Sequence, residues 1–270
     1  KYQFEPDYHC LNRRAKRTKI KEKYLNPESF FSRFLNGSRE EAEVEYDPLL
    51  LERVNRKVWA IKKKIDWSQE LNSASFVAFD LETTGLRPYR GDEITAFGAV
   101  VIEKRKILAD PVFYELVNPG RPITLQAQKI TGITNEMVRQ KPKFMPVLER
   151  FLDFCGPRIL IAHNAPFDLA FINNKTGQTI GRRIVNPVID TVLLTSALHY
   201  AVGDYSLENL ASYFGFNLEN RHNALGDAKI AANLFLSLLP SLEEKGVTTL
   251  HDLASLFADL DLTRGYPLIF

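Results

Sequence analysis

The segment SFVAFDLE, residues 75–82, constrains the fold of this chain more than any other. It is a short apolar run of the kind that forms a buried strand, yet it ends in two acidic residues. Side chains alternate between the two faces of a strand, so Asp80 and Glu82 are expected to share one face. A carboxylate in an apolar strand needs a cation or donors to compensate for lost hydration. The alternative is that Asp80 caps a turn and Glu82 is solvated.

Apolar runs and helical patterns alternate from this segment to about residue 240. Further strands are expected over residues 94–102, 112–117, 158–162 and 188–189. Helices are expected to begin near Pro166, Asp190, Ser206 and Gly226. The first three strands have the spacing of an antiparallel meander, and Pro240 is expected to stop the last major helix. The pattern predicts an α/β fold with a mixed sheet flanked by helices.

A second polar element, HNAPFD, follows the expected strand over residues 158–162. Pro166 suits the first turn of a helix, and Asp168 would lie near that helix start, where an anion is favoured. Ordinary capping explains the aspartate equally well. Asn164 and Phe167 are either a polar cap and a core residue or contacts to a substrate, with the Phe167 ring facing a base.

A third polar element is HNALGDA, residues 222–228. On one regular helix, His222 and Asp227 would lie about 140° apart and could not converge. They converge only if His222 lies on the preceding loop and Asp227 in the first helical turn. The alternative is an exposed loop histidine and an unrelated aspartate at a helix start.

These three elements contribute four carboxylates, each next to an expected strand or helix end. They are Asp80, Glu82, Asp168 and Asp227. Several ionised carboxylates cannot crowd together without cations, and ligand sets made only of oxygen favour Mg²⁺ or Mn²⁺. A histidine nearby could serve as a general base.

The three elements together resemble the motifs of the DEDDh 3′→5′ exonucleases, of the type found in proofreading epsilon subunits. The run FDLETTG at 79–85 is similar to the first motif of that family, and HNAPFD at 163–168 to the second. The run from His222 to Asp227 is similar to the third motif, His-x-Ala-x-x-Asp. The resemblance covers about residues 76–238 and implies a ribonuclease H-like fold.

The resemblance also implies a two-metal phosphodiester hydrolysis with Mg²⁺ or Mn²⁺. It places Asp80, Glu82 and Asp227 around the first ion, with Asp80 bridging to the second and Asp168 assisting. His222 is implied as the general base that takes the proton of the attacking water. The implied substrate-contacting residues are Thr83, Thr84 and Gly85 at the terminal nucleotide, with His163, Asn164 and Phe167 as further contacts.

The implied substrate is a single-stranded 3′ end, DNA rather than RNA, hydrolysed to 5′-mononucleotides in proofreading or repair. One alternative is a 3′→5′ exoribonuclease that trims RNA ends or short oligonucleotides, because the motifs do not report contacts to the sugar. An alternative of another class is a non-catalytic module that binds nucleic acid or a polymerase.

Residues 1–74 form an extension of different character from the exonuclease domain expected over 75–240. Seven basic side chains lie within residues 11–23. A helix is expected from Pro48, with a basic face opposite an apolar stripe of Leu51, Val54, Val58, Ile61 and Ile65. The basic charges could neutralise phosphates, remain solvated, or accompany docking of the extension to a polymerase or other protein. The tail, 241–270, is expected to add a helix.

Composition and length exclude a few classes. The 270 residues carry a formal net charge of only +2, and no apolar run approaches the roughly 18–20 residues that span a bilayer. The chain starts at Lys1, and that start lacks the apolar core of a signal peptide. The two cysteines, Cys10 and Cys155, lie in unlike contexts and are expected to be free thiols in a reducing cytoplasm.

Overall fold

The computed structural model describes residues 45–61, 65–198, 200, 202, 204–218 and 221–259. The basic run at 11–23 and Cys10 lie outside the described residues. Cys155 is a free, buried cysteine.

A five-stranded mixed sheet forms the centre of the fold. Its strands are β1 (Ser75–Thr83), β2 (Ile94–Glu103), β3 (Lys106–Leu116), β4 (Ile159–Ala162) and β5 (Val188–Asp190). The order across the sheet is β3-β2-β1-β4-β5. The first three strands pair antiparallel, and β4 pairs parallel with both β1 and β5. The predicted α/β, ribonuclease H-like mixed sheet is confirmed.

The helices connect and flank the strands. They are α1 (Pro48–Ile61), α2 (Leu125–Thr131), α3 (Asn135–Val138), α4 (Phe144–Cys155), α5 (Ala165–Ile180), α6 (Thr191–Ala197), α7 (Leu207–Phe214), α8 (Ala224–Glu244) and α9 (Leu250–Asp259), with a 3₁₀ turn at Pro88–Arg90. Ser206 caps α7, as expected, by accepting from the Asn209 N–H at 3.3 Å. Pro240 does not stop α8, because the buried Leu238, Leu239 and Leu242 hold the helix against the core on both sides of the proline.

Helices α4 and α8 cover opposite faces of the sheet. Phe79 of β1 lies 5.6 Å from the ring of Phe151 on α4, whereas Phe76 lies 4.9 Å from Phe235 on α8. Because strand side chains alternate, Asp80 and Glu82 lie on the face of Phe76, the face that α8 covers.

The start of α8 lies directly on the backbone of β2 at Gly98. A Cβ at this glycine would lie 2.2 Å from the carbonyl carbon of Ala224 and from the nitrogen of Leu225. Gly98 pairs across the sheet with Asp80. The absent side chain therefore lets the first turn of α8 approach the acidic end of β1.

Helix α1 packs against α4 and buries Leu50, Val54, Val58 and Ile61. Leu51 is only partly buried, and Ile65 follows the end of the helix. One compact unit contains the sheet and all the described residues, α1 among them. The apolar stripe of α1 is part of the same core cluster as the sheet, while the domain boundary expected at residue 74 stays a prediction.

The segment that follows α8 pairs with the segment that connects α1 to β1. Glu70 and Thr249 form a β-bridge, and the Leu71 N–H donates to the Thr248 carbonyl at 2.7 Å. Leu253 and Phe257 of α9 are buried in the core. Among the described residues, no helix has the length and apolar character needed to cross a membrane.

Candidate active site

Three carboxylates meet where the end of β1 faces the start of α8. Asp80, Glu82 and Asp227 each present an oxygen within 4.8 Å of the others. Glu82 and Asp227 are only 8% and 6% exposed. The strand alternation and the close approach of α8 at Gly98 together produce this cluster.

Asp168 joins the cluster from the first turn of α5. Its Oδ1 accepts the backbone N–H of Leu81 at 3.2 Å. The pairing of β1 with β4 ends at Ala78 and Ile161, so Asp168 supplies an acceptor to β1 beyond the end of β4. All four carboxylates that the sequence singled out therefore lie at one end of β1.

Burial and crowding raise the pKa values of these carboxyl groups. Burial, followed by the charges of Asp168, Asp227 and Glu82, raises the pKa of Asp80 well above its usual value. Burial and the charge of Asp227 raise the pKa of Glu82 to about 8. Groups that disfavour ionisation to this extent need a compensating cation to carry their charges at neutral pH.

The donor set suits hard divalent cations. It consists of carboxylate oxygens, which Mg²⁺ and Mn²⁺ prefer. Oδ1 of Asp227 is buried and has no hydrogen-bond partner among the described residues. An orphaned carboxylate oxygen that belongs to a cluster of three acids is the position expected of a metal ligand.

Arg221 was not identified from the sequence, although it contacts the cluster directly. Its guanidinium group pairs with Oδ2 of Asp227 and with Glu208 at the start of α7. Burial raises the pKa of Asp227, and the hydrogen bond and charge of Arg221 oppose that shift. No sequence signal marks this residue beyond its position immediately before the third motif.

His222 lies in the turn that precedes α8, while Asp227 lies in the first turn of that helix. This is the arrangement that permits the two to converge. The backbone of His222 is left-handed, with φ of 59°, and its N–H donates to Oδ2 of Asp227 at 3.2 Å. The side chain of His222 is exposed.

Thr83, Thr84 and Gly85 brace the loop that leaves β1. The Thr83 hydroxyl donates to the Gly85 carbonyl at 2.6 Å. The Thr84 hydroxyl donates to Asp92 and accepts the Glu93 N–H at 3.0 Å. A Cβ at Gly85 would meet the Asp92 carboxylate at 2.5 Å. These contacts place the loop beside Glu82, and its role in seating a nucleotide stays a prediction.

His163 is held by protein groups at the end of β4. Its Nδ1 lies 2.9 Å from the Thr191 hydroxyl, and its ring also hydrogen-bonds the backbone of Tyr205. Burial, with a contribution from the charge of Arg221, lowers the pKa of His163 to about 4. The imidazole is therefore neutral at physiological pH and is fixed by α6 and the segment before α7.

Asn164 and Phe167 form the turn into α5. Asn164 is left-handed, with φ of 58°, and its N–H donates to Oδ1 of the buried Asp190 at 3.0 Å. Its side chain makes no capping hydrogen bond. The Phe167 ring packs 5.1 Å from Phe171 and against the core. Phe167 remains partly exposed, and its contact with a base stays a prediction.

The sheet order and the four acidic residues at the end of β1 are the arrangement expected from the resemblance to the exonucleases. A family model described as exonuclease, RNase_T, matches residues 77–235. The chain belongs to this family.

Two curated relatives share extensive identity with the chain. A DNA polymerase III subunit epsilon-like protein of Rhodobacter capsulatus is 45% identical over 181 residues, which cover 66% of this chain and 26% of the relative. A PolC-type DNA polymerase III of Caldanaerobacter subterraneus is 38% identical over 187 residues, which cover 69% of this chain and 13% of the relative. The chain thus spans only 26% and 13% of the lengths of these two proteins.

Solved structures share the fold. Exonuclease X in complex with 5′-overhanging duplex DNA superposes with a TM-score of 0.54 at 27% identity, covering 68% of this chain and 98% of that one. The nuclease domain of 3′hExo, described as a DEDDh family member bound to rAMP, gives a TM-score of 0.56 at 19% identity, covering 64% and 94%.

Proposed function

We propose that this chain is a metal-dependent 3′→5′ exonuclease that hydrolyses the terminal phosphodiester of single-stranded DNA and releases 5′-mononucleotides. The observation that carries the proposal is the meeting of Asp80, Glu82 and Asp227, with ligand oxygens within 4.8 Å of one another, beside Asp168. Four acids from three separate elements would repel one another without a function that brings in cations.

Asp80, Glu82 and Asp227 would hold one divalent ion, and Asp80 and Asp168 a second. Such ions, when bound, supply electrostatic stabilisation to the entering and leaving oxygens of the phosphoryl group. Asp168 would also keep β1 in register for this task through its hydrogen bond to Leu81. The identity of the ions is proposed as Mg²⁺ or Mn²⁺ from the oxygen ligands alone.

His222 would act as the general base. Its backbone N–H is tied to Asp227, so its Cα lies at the edge of the cluster, and its side chain is accessible to solvent. An accessible imidazole can take a proton from the attacking water and pass it to solvent. The short turn between Arg221 and α8 keeps this residue next to the acidic cluster.

The DNA preference is supported by the relatives, whose names refer to DNA polymerase III. By the same comparison, we propose a role in proofreading or repair and a polymerase as the protein partner. RNA ends are the alternative substrate, because the described contacts of Thr83 and Thr84 do not report on a sugar hydroxyl.

A product analysis with matched substrates tests the proposal. The chain is incubated with 3′-labelled single-stranded DNA and RNA of one sequence, with Mg²⁺, Mn²⁺ or EDTA. We expect metal-dependent release of 5′-mononucleotides, faster from DNA. Faster release from RNA would reassign the substrate, and no release from either with Mn²⁺ would favour a non-catalytic binding module.

A further inference from the structure

We propose that a basic surface extending from the loop after β1 to helix α1 binds the phosphates of the nucleic-acid strand several nucleotides away from the cleaved end. This inference rests on the proposed function, because it concerns the same substrate. The surface consists of Arg87, Arg90, Arg182 and Arg183, with the aromatic residues Tyr89 and Trp59, and is named the arginine surface below.

The four arginines differ from the other described arginines in their partners. None of the four forms an ion pair with another described residue. The remaining described arginines each pair with a carboxylate; they are Arg53, Arg56, Arg105, Arg121, Arg139, Arg150, Arg158 and Arg221. Each of the four is exposed. Among the described arginines, those without an ion pair to another described residue are therefore concentrated in this one region.

Contacts between the 3₁₀ turn and α5 bring the four arginines onto one surface. The 3₁₀ turn that carries Arg90 packs against α5, where Asn174 Nδ2 donates to the Pro88 carbonyl at 2.8 Å. Arg182 and Arg183 directly follow the end of α5, and the charge of Arg183 acts on Tyr89 in that same turn. The acidic residue Glu93, which follows the same loop, is paired with Lys175.

Aromatic rings lie among these charges. The guanidinium carbon of Arg182 lies 5.4 Å from the ring centroid of Trp59 on α1, and Trp59 is 59% exposed. Tyr89 is partly exposed in the 3₁₀ turn. Cationic groups interleaved with exposed aromatic rings are the arrangement by which proteins hold single strands without reading sequence.

The arginine surface is continuous with the acidic cluster. The Arg87 N–H donates to Asp92 at 3.0 Å, and Asp92 in turn braces Thr84 and Gly85 beside Glu82. Helix α5 runs from Asp168 at the cluster to Ile180 at the arginine surface. That helix segment spans about 18 Å, so the arginine surface lies well away from the cleaved end of the strand.

Trp59 lies on α1, a helix outside the region that the family model matches. The family model matches residues 77–235, so α1 lies outside it. The basic side chains Arg53 and Lys57 of α1 are neutralised by Glu149 and Asp153 of α4. The exposed indole of Trp59 is therefore the part of α1 that is suited to a strand arriving from the site.

Binding measurements on the full chain test the arginine surface. Fluorescent oligothymidylates of about three and about twelve nucleotides are titrated in EDTA, which prevents hydrolysis, at several salt concentrations. For Arg182→Gln with Arg183→Gln, we expect about tenfold weaker binding of the longer oligonucleotide and a salt slope smaller by about 1.4, since each phosphate contact to a single strand contributes about 0.7. Binding of the shorter one should not change.

The matched control is Lys104→Gln with Lys106→Gln, which removes the same charge from two exposed side chains at the turn between β2 and β3, at the opposite end of β1 from the site. Trp59→Leu should weaken binding of the longer oligonucleotide at least about fivefold, as loss of one stacked base does. Arg87→Gln with Arg90→Gln provides an independent second pair on another element.

Equal losses of affinity for the longer oligonucleotide in the control and in the Arg182 and Arg183 variant would overturn the proposal. Unchanged affinity and salt slope in both arginine pairs would overturn it as well. Unchanged oligonucleotide binding would also point to an acidic protein as the occupant instead. Nucleotide release from the short oligonucleotide with Mn²⁺, measured separately on the unmodified chain, reports whether the proposed function itself fails.

Discussion

Arg221 contacts Asp227 through Oδ2, the oxygen that also accepts the backbone N–H of His222, whereas Oδ1 of Asp227 is left buried without a partner among the described residues. One side of the carboxylate is thus held by protein groups and the other is turned to the acidic cluster. In the absence of metal, the arginine supplies a positive charge that favours the ionised forms of Asp80, Glu82 and Asp227.

Replacing Arg221 by methionine should therefore affect stability without metal and stabilisation by Mn²⁺ in opposite directions. We expect Arg221→Met to lower the free energy of unfolding in EDTA by about 2–4 kcal/mol, because a largely buried pair loses its cation. Mn²⁺ should then raise the melting temperature more than it does in the unmodified chain, because no competing cation remains. Thermal unfolding with and without Mn²⁺ measures both. The control is Arg139→Met, whose ion pair with Glu136 is exposed, and unchanged stability of Arg221→Met in EDTA would contradict the assigned role.

Gly98 should tolerate no side chain. A Cβ would overlap the backbone of Ala224 and Leu225, so Gly98→Ala must displace the start of α8. We expect destabilisation of at least about 1–3 kcal/mol and a loss of hydrolysis beyond what the fraction unfolded explains, because Asp227 moves away from Asp80.

The matched control for Gly98 lies in α5. Gly177 is helical and has open space where a Cβ would lie. Gly177→Ala should leave hydrolysis unchanged and stabilise the chain by about 0.5–1 kcal/mol. Urea unfolding and nucleotide release on both variants check the pair, and equal activity in the two would show that contact at Gly98 does not position the site.

The stability of the metal-free protein should fall as pH rises from about 6.5 to 8. Burial raises the pKa values of Glu82 to about 8 and of Asp190 to about 7. The folded state then binds more protons than the unfolded state in this window, so ionisation opposes folding by at most about 1.4 kcal/mol per pH unit for each group. His163, with its lowered pKa, acts below this window.

Thermal unfolding in EDTA at a series of pH values tests this slope. Glu82→Gln removes one of the carboxyl groups whose pKa is raised, so its melting temperature should depend less on pH. Mn²⁺ should flatten the dependence in the unmodified chain, since a bound cation favours the ionised carboxylates. A melting temperature that rises between pH 6.5 and 8 in EDTA would disprove the burial argument.

His222→Ala should lower the rate of nucleotide release by about 10²–10⁴, the usual contribution of a general base, while leaving metal binding intact. The shape of the pH–rate profile should also change. Asp80→Ala and Asp227→Ala should abolish metal-dependent hydrolysis in a folded protein. A pH–rate profile of unchanged shape in His222→Ala would remove the histidine from the mechanism, and an active, folded Asp80→Ala would remove the acidic cluster.

Local patterns in the sequence sufficed for the elements of the site. Strand alternation put Asp80 and Glu82 on one face, and the incompatibility of His222 and Asp227 on one helix required a turn between them. The sheet class followed from the alternation of strands and helices. These features depend on neighbours within a few residues, which a sequence displays directly.

The features that the sequence did not reveal depend on distant contacts. Gly98 within an apolar strand signals a close approach, but only the fold identifies α8 as the element that approaches. Arg221 gains its importance from Asp227 and Glu208, which belong to different helices. The continuation of α8 through Pro240 and the packing of α1 on α4 likewise follow from burial in the shared core.

Asp168 carries a further consequence. One of its oxygens accepts the Leu81 N–H beyond the end of the pairing between β1 and β4. A cation bound to this carboxylate would therefore change the strength of that hydrogen bond. Exchange of the Leu81 amide proton with deuterated solvent would then vary with occupancy of the acidic cluster. A single backbone amide becomes a reporter of cation loading that needs neither substrate nor turnover.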